Sequence, residues 1–109
     1  DSAGVRRWER RQQSSIMQPE FDAYKAEMRS RGFDEVIART WAPDTTLATH
    51  THEFGLEALV VAGEMSLIVN GCTRHLKPGD TFALEAGVPH AERYGPTGAT
   101  YWVARRHPA

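Results

Sequence analysis

Apolar positions along this chain change their period once. In PEFDAYKAEMRSRG, Phe21, Tyr24 and Met28 recur at i, i+3 and i+7, the spacing of a single helical stripe. Pro19 suits the first helical position, Glu20 and Asp22 complement the positive end, and Gly32 suits a left-handed cap. A helix is therefore predicted over 19–32, its stripe packed on the rest of the domain. From Phe33 onward the period shortens to two. Met65, Leu67 and Val69 share one face of MSLIV, and Phe82 and Leu84 share one face of TFALEA. FDEVIARTW, TTLATHTH, EALVVAGEMSLIVN, CTRHL, AERY and ATYWVARR complete the strand-like runs. Asn70-Gly71 between two of them is a tight-hairpin signal, and APD, KPGD and GVPH mark further turns. About eight short strands, with a turn signal roughly every 8–12 residues, predict an antiparallel sandwich or barrel. The fold class is all-β behind one leading helix.

Length limits this pattern to one domain: 109 residues divide into an arm or tail (1–18), a helix (19–32) and a barrel (33–107). Apolar residues at 40% and charged residues at 25% are enough to bury one core. A net charge of −1 gives no global field toward nucleic acid or an anionic membrane. The run RRWERRQ gathers Arg6, Arg7, Arg10 and Arg11 around a single aromatic, Trp8, and reads as a solvated tail. Apolar runs are far too short to span a membrane, and none follows the basic start as a secretory signal would. The one cysteine, Cys72, can form no intrachain disulfide and is expected as a small strand residue. The expectation is a cytoplasmic protein that binds neither nucleic acid nor membrane.

Chemistry concentrates in HTHEFGLE. On a strand, His50 and His52 point to one side while Thr49 and Thr51 point away. Two imidazoles hold an ion only with help from neighbouring strands. Glu57 begins the next strand after a bend that Gly55 eases, and His90 follows the turn at Gly87-Val88-Pro89. Glu53 competes for the carboxylate role, but strand parity turns it away from the histidines. Three neutral imidazoles and one carboxylate suit a divalent transition metal (Fe, Mn, Ni, Cu, Co or Zn) rather than Ca or Mg.

HTHEFGLEALVVAG resembles the first cupin motif: His-x-His, Glu57 after four residues, Gly63 after five more. PGDTFALEAGVPH resembles the second, with Pro78-Gly79-Asp80, Gly87 and, after two residues, His90. The likeness runs from Phe33 to Arg106. It implies a double-stranded β-helix, the cupin jelly-roll barrel. At its mouth one metal ion is held by His50, His52, Glu57 and His90, and a small-molecule ligand or substrate reaches it. A homodimer is the assembly it implies. Where the family often has glycine, proline and asparagine, this chain has Asp44, Glu85 and Tyr94. None of these is a ligand; what they leave open is the substrate class. The resemblance points to a small metal-binding cupin acting on a small organic molecule as a dioxygenase or isomerase. The alternatives are a non-catalytic binding or sensing domain and a metal-free cupin like the sugar-nucleotide epimerases, against which the intact ligand set argues.

Glu92 and Tyr94 share the strand and parity of His90, so they are expected inside. Glu92 is the candidate catalytic residue, a carboxylate able to orient water or accept a proton. Its competing role is a structural hydrogen bond or ion pair. Trp41, Phe54, Tyr101 and Trp102 are candidate pocket walls, and Arg39, Arg105 and Arg106 are candidate partners of an acidic substrate. His75 and His107 are expected to face solvent.

Overall fold

The computed structural model describes residues 17–108. The expected arm up to residue 16, with its arginine run, lies outside the described residues. Helix α1 (Met17–Ser30) leads into six strands: β1 (Glu35–Trp41), β2 (Thr46–His50), β3 (Gly55–Val69), β4 (Cys72–Leu76), β5 (Thr81–Leu84) and β6 (His90–Arg106). The helix ends where its cap residue dictates. Gly32 adopts φ 96°, and the amides of Gly32 and Phe33 donate to the carbonyls of Arg29 and Met28 at 3.1 Å each. This is the paired closing of a Schellman motif. Phe33 and Met28 then pack together, as that motif favours.

Two long strands organise one antiparallel sheet in the order β1-β6-β3-β4. At one end of β6, His90 pairs with His50 of β2; toward the other, Ala99 to Arg105 pair with β1. On β3, Leu56–Leu59 pair with β5 and Met65–Val69 with β4. β3 and β6 pair along most of their length, with register shifts between Val60 and Ala62 and between Gly63 and Met65. Such bulges bend and twist a sheet, and here they let it curl into a jelly-roll barrel. The strand count falls from the expected eight or so to six because AERY and ATYWVARR form one strand and EALVVAGEMSLIV runs unbroken through Gly63. Gly98 and Gly63, both at φ 72°, permit this: a Cβ on Gly63 would collide with the Gly98 carbonyl, and one on Gly98 with the Trp41 carbonyl. The Asn70-Gly71 hairpin forms as predicted, with positive φ at both residues (52° and 75°) between paired Val69 and Cys72.

Alternation divides the core in two. Ala58, Val60, Met65, Leu67, Phe82, Tyr101 and Val103 fill the barrel. On the outer face, Val36 and Ala104 meet Met28, Phe33, Phe21 and Tyr24 of the helical segment. The helical stripe thus packs on the sheet. The Tyr24 hydroxyl adds contacts at 3.3 Å to the carbonyls of Glu57 and Trp102, and Phe21 and Tyr24 both lie against the Trp102 ring. Among the described residues no helix is long and apolar enough to cross a membrane.

Candidate metal centre

His50 ends β2 and stands directly across the ladder from His90, the first residue of β6. His52 lies just past the end of β2, in the loop to β3, and is held there from the opposite side. The amide of Gly87, at φ 82° in the turn before His90, donates to the His52 carbonyl at 2.9 Å. One backbone bond therefore joins the two histidine-bearing segments. Asp44 helps at the start of β2: it takes the left-handed φ of 58° that a glycine takes freely, and its amide donates to the Gly95 carbonyl.

The result is a cluster in which one ligand atom from each of His50, His52 and His90 lies within 4.8 Å of the others. Ring centroids are 4.3 Å apart for His50 and His90, 4.9 Å for His50 and His52, and 5.1 Å for His52 and His90. Two of the imidazoles are oriented by the backbone. Nδ1 of His50 is 2.7 Å from the Ala48 carbonyl, and Nδ1 of His90 is 2.9 Å from the Val88 carbonyl. A carbonyl only accepts, so each Nδ1 carries the proton; in the neutral ring that leaves the lone pair on Nε2. Both Nε2 atoms face the same carboxylate oxygen: Glu92 Oε2 lies 3.5 Å from His50 and 3.7 Å from His90. The third imidazole is fixed by stacking, with Phe54 at 4.7 Å and 14° from the His52 ring. Burial lowers the His52 pKa below the ordinary histidine value, and the neighbouring His90, His50 and Arg105 reinforce this, favouring the neutral ring.

Glu92 is buried and held from behind. Tyr94, two residues on and on the same face, donates its hydroxyl to Glu92 Oε1. Trp41 stacks on Tyr94 and donates its indole N–H to Tyr101 Oη at 3.2 Å. Burial raises the pKa of both tyrosines above the ordinary phenol, with Glu92 adding to the effect, so their hydroxyls stay protonated. Glu92, Trp41, Tyr101 and the three histidines line a cavity of about 110 Å³, with Arg39, Arg105, Phe54 and a set of leucines.

Glu57, expected to supply the carboxylate, faces away from the three histidines. Leu56 and Ala58 turn into the barrel, so alternation sends Glu57 outward. There it forms a two-pronged ion pair with Arg31, at 2.9 and 3.1 Å. Gly55 begins β3 rather than breaking away from it, so the inward position after the bend falls one residue earlier, on Leu56. The signal for this was the alternation of Leu56, Ala58 and Val60 against Glu57 and Leu59. Of the other candidates, Trp41, Phe54, Tyr101, Arg39 and Arg105 line the cavity, and Trp102 faces the helix. Arg106 instead donates to the carbonyls of Arg31 and Gly32. His75 is exposed and bonded to Ser66, and His107 is exposed and paired with Asp34. Cys72 is an exposed free thiol.

Residues 39–103 match the profile of the family described as the cupin domain. No curated protein matches the chain. Among solved structures, it is similar to an RmlC-like cupin from Shewanella frigidimarina (24% identity, TM-score 0.58, covering 64% of this chain and 62% of that one). It is also similar to the DMSP lyase DddQ from Ruegeria pomeroyi (25%, 0.61, 65% of this chain). A third is the cupin domain of an XRE family transcriptional regulator from Enterobacter cloacae (20%, 0.60, 74% and 87%). This chain spans only 36% of the length of the Ruegeria lyase.

Proposed function

We propose, from the premise that this chain belongs to the cupin domain family, that its barrel holds one divalent transition-metal ion and presents it to a small organic molecule. The observation that carries this is the shared aim of the donors. The Nε2 atoms of His50 and His90, each freed by a carbonyl on Nδ1, converge on one oxygen of Glu92 with His52 beside them. Such anchoring of the distal ring nitrogen is the usual support of a metal-bound histidine. Nitrogen and oxygen donors bind such ions at about 2.0–2.2 Å, which places neighbouring donors roughly 3–3.5 Å apart. Glu92 Oε2 already stands at nearly that spacing from two imidazoles, so the fourth ligand is Glu92 rather than Glu57. Nitrogen-rich donors with one carboxylate fit Fe, Mn, Ni, Cu, Co or Zn.

The bound ion supplies Lewis acidity, or a site for oxygen when it is iron. The chain's own residues do the rest. Tyr94 holds Glu92 in one rotamer, Phe54 fixes His52, and leucines on the cavity wall exclude water from the bound molecule. The reaction class that fits is oxygenation or isomerisation of a small molecule, and the similar DMSP lyase adds elimination to the classes worth assaying. Elemental analysis of protein purified without added metal tests the reading. About one equivalent of a transition metal per chain supports it, and less than a tenth of an equivalent sinks it. Oxygen uptake across small diols, thiols and β-dicarbonyls with Fe(II) separates an oxygenase from a domain that only binds.

A further inference from the structure

The cavity beside the histidines carries two arginines that the metal site does not use. Arg105 comes from β6 and Arg39 from β1, both on the inner face of the barrel. Among the described residues, Arg105 Nε is the one buried side-chain polar atom with no hydrogen-bond partner. A buried donor left unpaired is costly, and native proteins rarely keep one without a use. The rest of this guanidinium is loosely held. Its Nη1 lies 3.4 Å from Glu35 Oε1, an oxygen that also faces His107 at 3.5 Å. The guanidinium sits 4.7 Å over the Phe54 ring, whose own partner is His52, so a single aromatic ring separates it from the imidazole cluster. Arg39 lies 4.8 Å over Trp41 and has no carboxylate partner among the described residues. Among the described residues the only carboxylate lining the cavity is Glu92, and one of its oxygens is taken by Tyr94.

We infer that this cavity binds a small organic acid, with its carboxylate on the Arg105 guanidinium and Arg39 as a second cation farther along the wall. The inference rests on the metal-centre reading for what the uncharged end of the acid meets. Guanidinium and carboxylate match as charge-assisted, fork-like partners, which a neutral ligand cannot reproduce. A water-sized group occupies roughly 10–15 Å³ by the same measure. The cavity's 110 Å³ therefore takes a molecule of several heavy atoms, its carbon chain against Leu47, Leu56, Leu84 and Val103.

The test titrates 3-hydroxybutyrate and its neutral isostere 3-hydroxybutyramide into zinc-loaded protein by calorimetry. The acid is expected to bind wild type roughly tenfold or more tightly than the amide, with a preference that weakens in salt. Arg105→Gln should abolish the preference and Arg39→Gln reduce it several-fold, both with zinc content unchanged. Equal binding of acid and amide by wild type overturns the inference, as does a full preference in both variants. If Arg105→Gln does not fold, the wild-type ratio and Arg39→Gln decide. The two readings fail separately. A preference that survives in protein unable to hold zinc keeps the acid pocket and removes the metal centre. One equivalent of zinc without any preference removes the acid pocket alone.

Discussion

Tyr94 shows at the scale of one residue how the barrel turns packing into chemistry. Its ring stacks on Trp41 while its hydroxyl holds Glu92, so one side chain serves the core and the carboxylate together. Replacing it by Phe keeps the volume and removes the donor. Hydrogen bonds to charged groups are worth about 1.5–3 kcal/mol, so Tyr94→Phe should lower unfolding stability by roughly that amount in urea denaturation. Weaker metal retention should accompany it, as Glu92 loses its fixed rotamer. The histidines were legible in the sequence because HxH and the distant GVPH are local patterns with few readings. The outward side of Glu57 was harder to read, since only the alternation of Leu56, Ala58 and Val60 marks it. Choosing between Glu57 and Glu92 needs the register of β3, and a one-residue slip exchanges every inward side chain for an outward one. Parity along β6 did place Glu92 and Tyr94 inside with His90, since that strand runs without interruption from the histidine.

At the scale of elements, the two long strands do the positioning. β6 delivers His90 and Glu92 at one end and Arg105 at the other, and its close crossing of β3 depends on glycine. Gly63→Ala would add both a left-handed penalty and a collision with backbone, an effect of about 3 kcal/mol or more. Gly71→Ala, also at positive φ but in open space, should cost only about 1–2 kcal/mol. Similar losses in paired thermal melts would show that the crossing is looser than described. Helix α1 offers a simpler test: Met28 is 2% exposed on its sheet-facing side, so Met28→Ala should destabilise by about 2–5 kcal/mol while metal content holds. The helix and the Asn70-Gly71 hairpin could be read from sequence because caps and tight turns are local chemistry. The joining of AERY to ATYWVARR could not, because it depends on two distant glycines meeting.

For the molecule as a whole, a closed sheet brings imidazoles from β2, β6 and the β2–β3 loop together, as the proposed single-ion site requires. The pH dependence follows from protonation, since imidazole binds a metal only when neutral. With ordinary histidine values near 6.5, affinity should be flat above about pH 7.5 and fall steadily below about pH 6.5. His52, its pKa lowered chiefly by burial, should keep its proton-free form to lower pH than an ordinary imidazole. Isothermal titration with zinc from pH 8 to 5 checks this, and a flat profile would argue against histidine ligation. The most direct measurement is metal retained per chain after desalting, for Glu92→Gln and Glu57→Gln beside wild type and His90→Ala. The account predicts about one equivalent in wild type and in Glu57→Gln, with strong loss in Glu92→Gln and His90→Ala. Loss confined to Glu57→Gln, with Glu92→Gln still fully loaded, would contradict it.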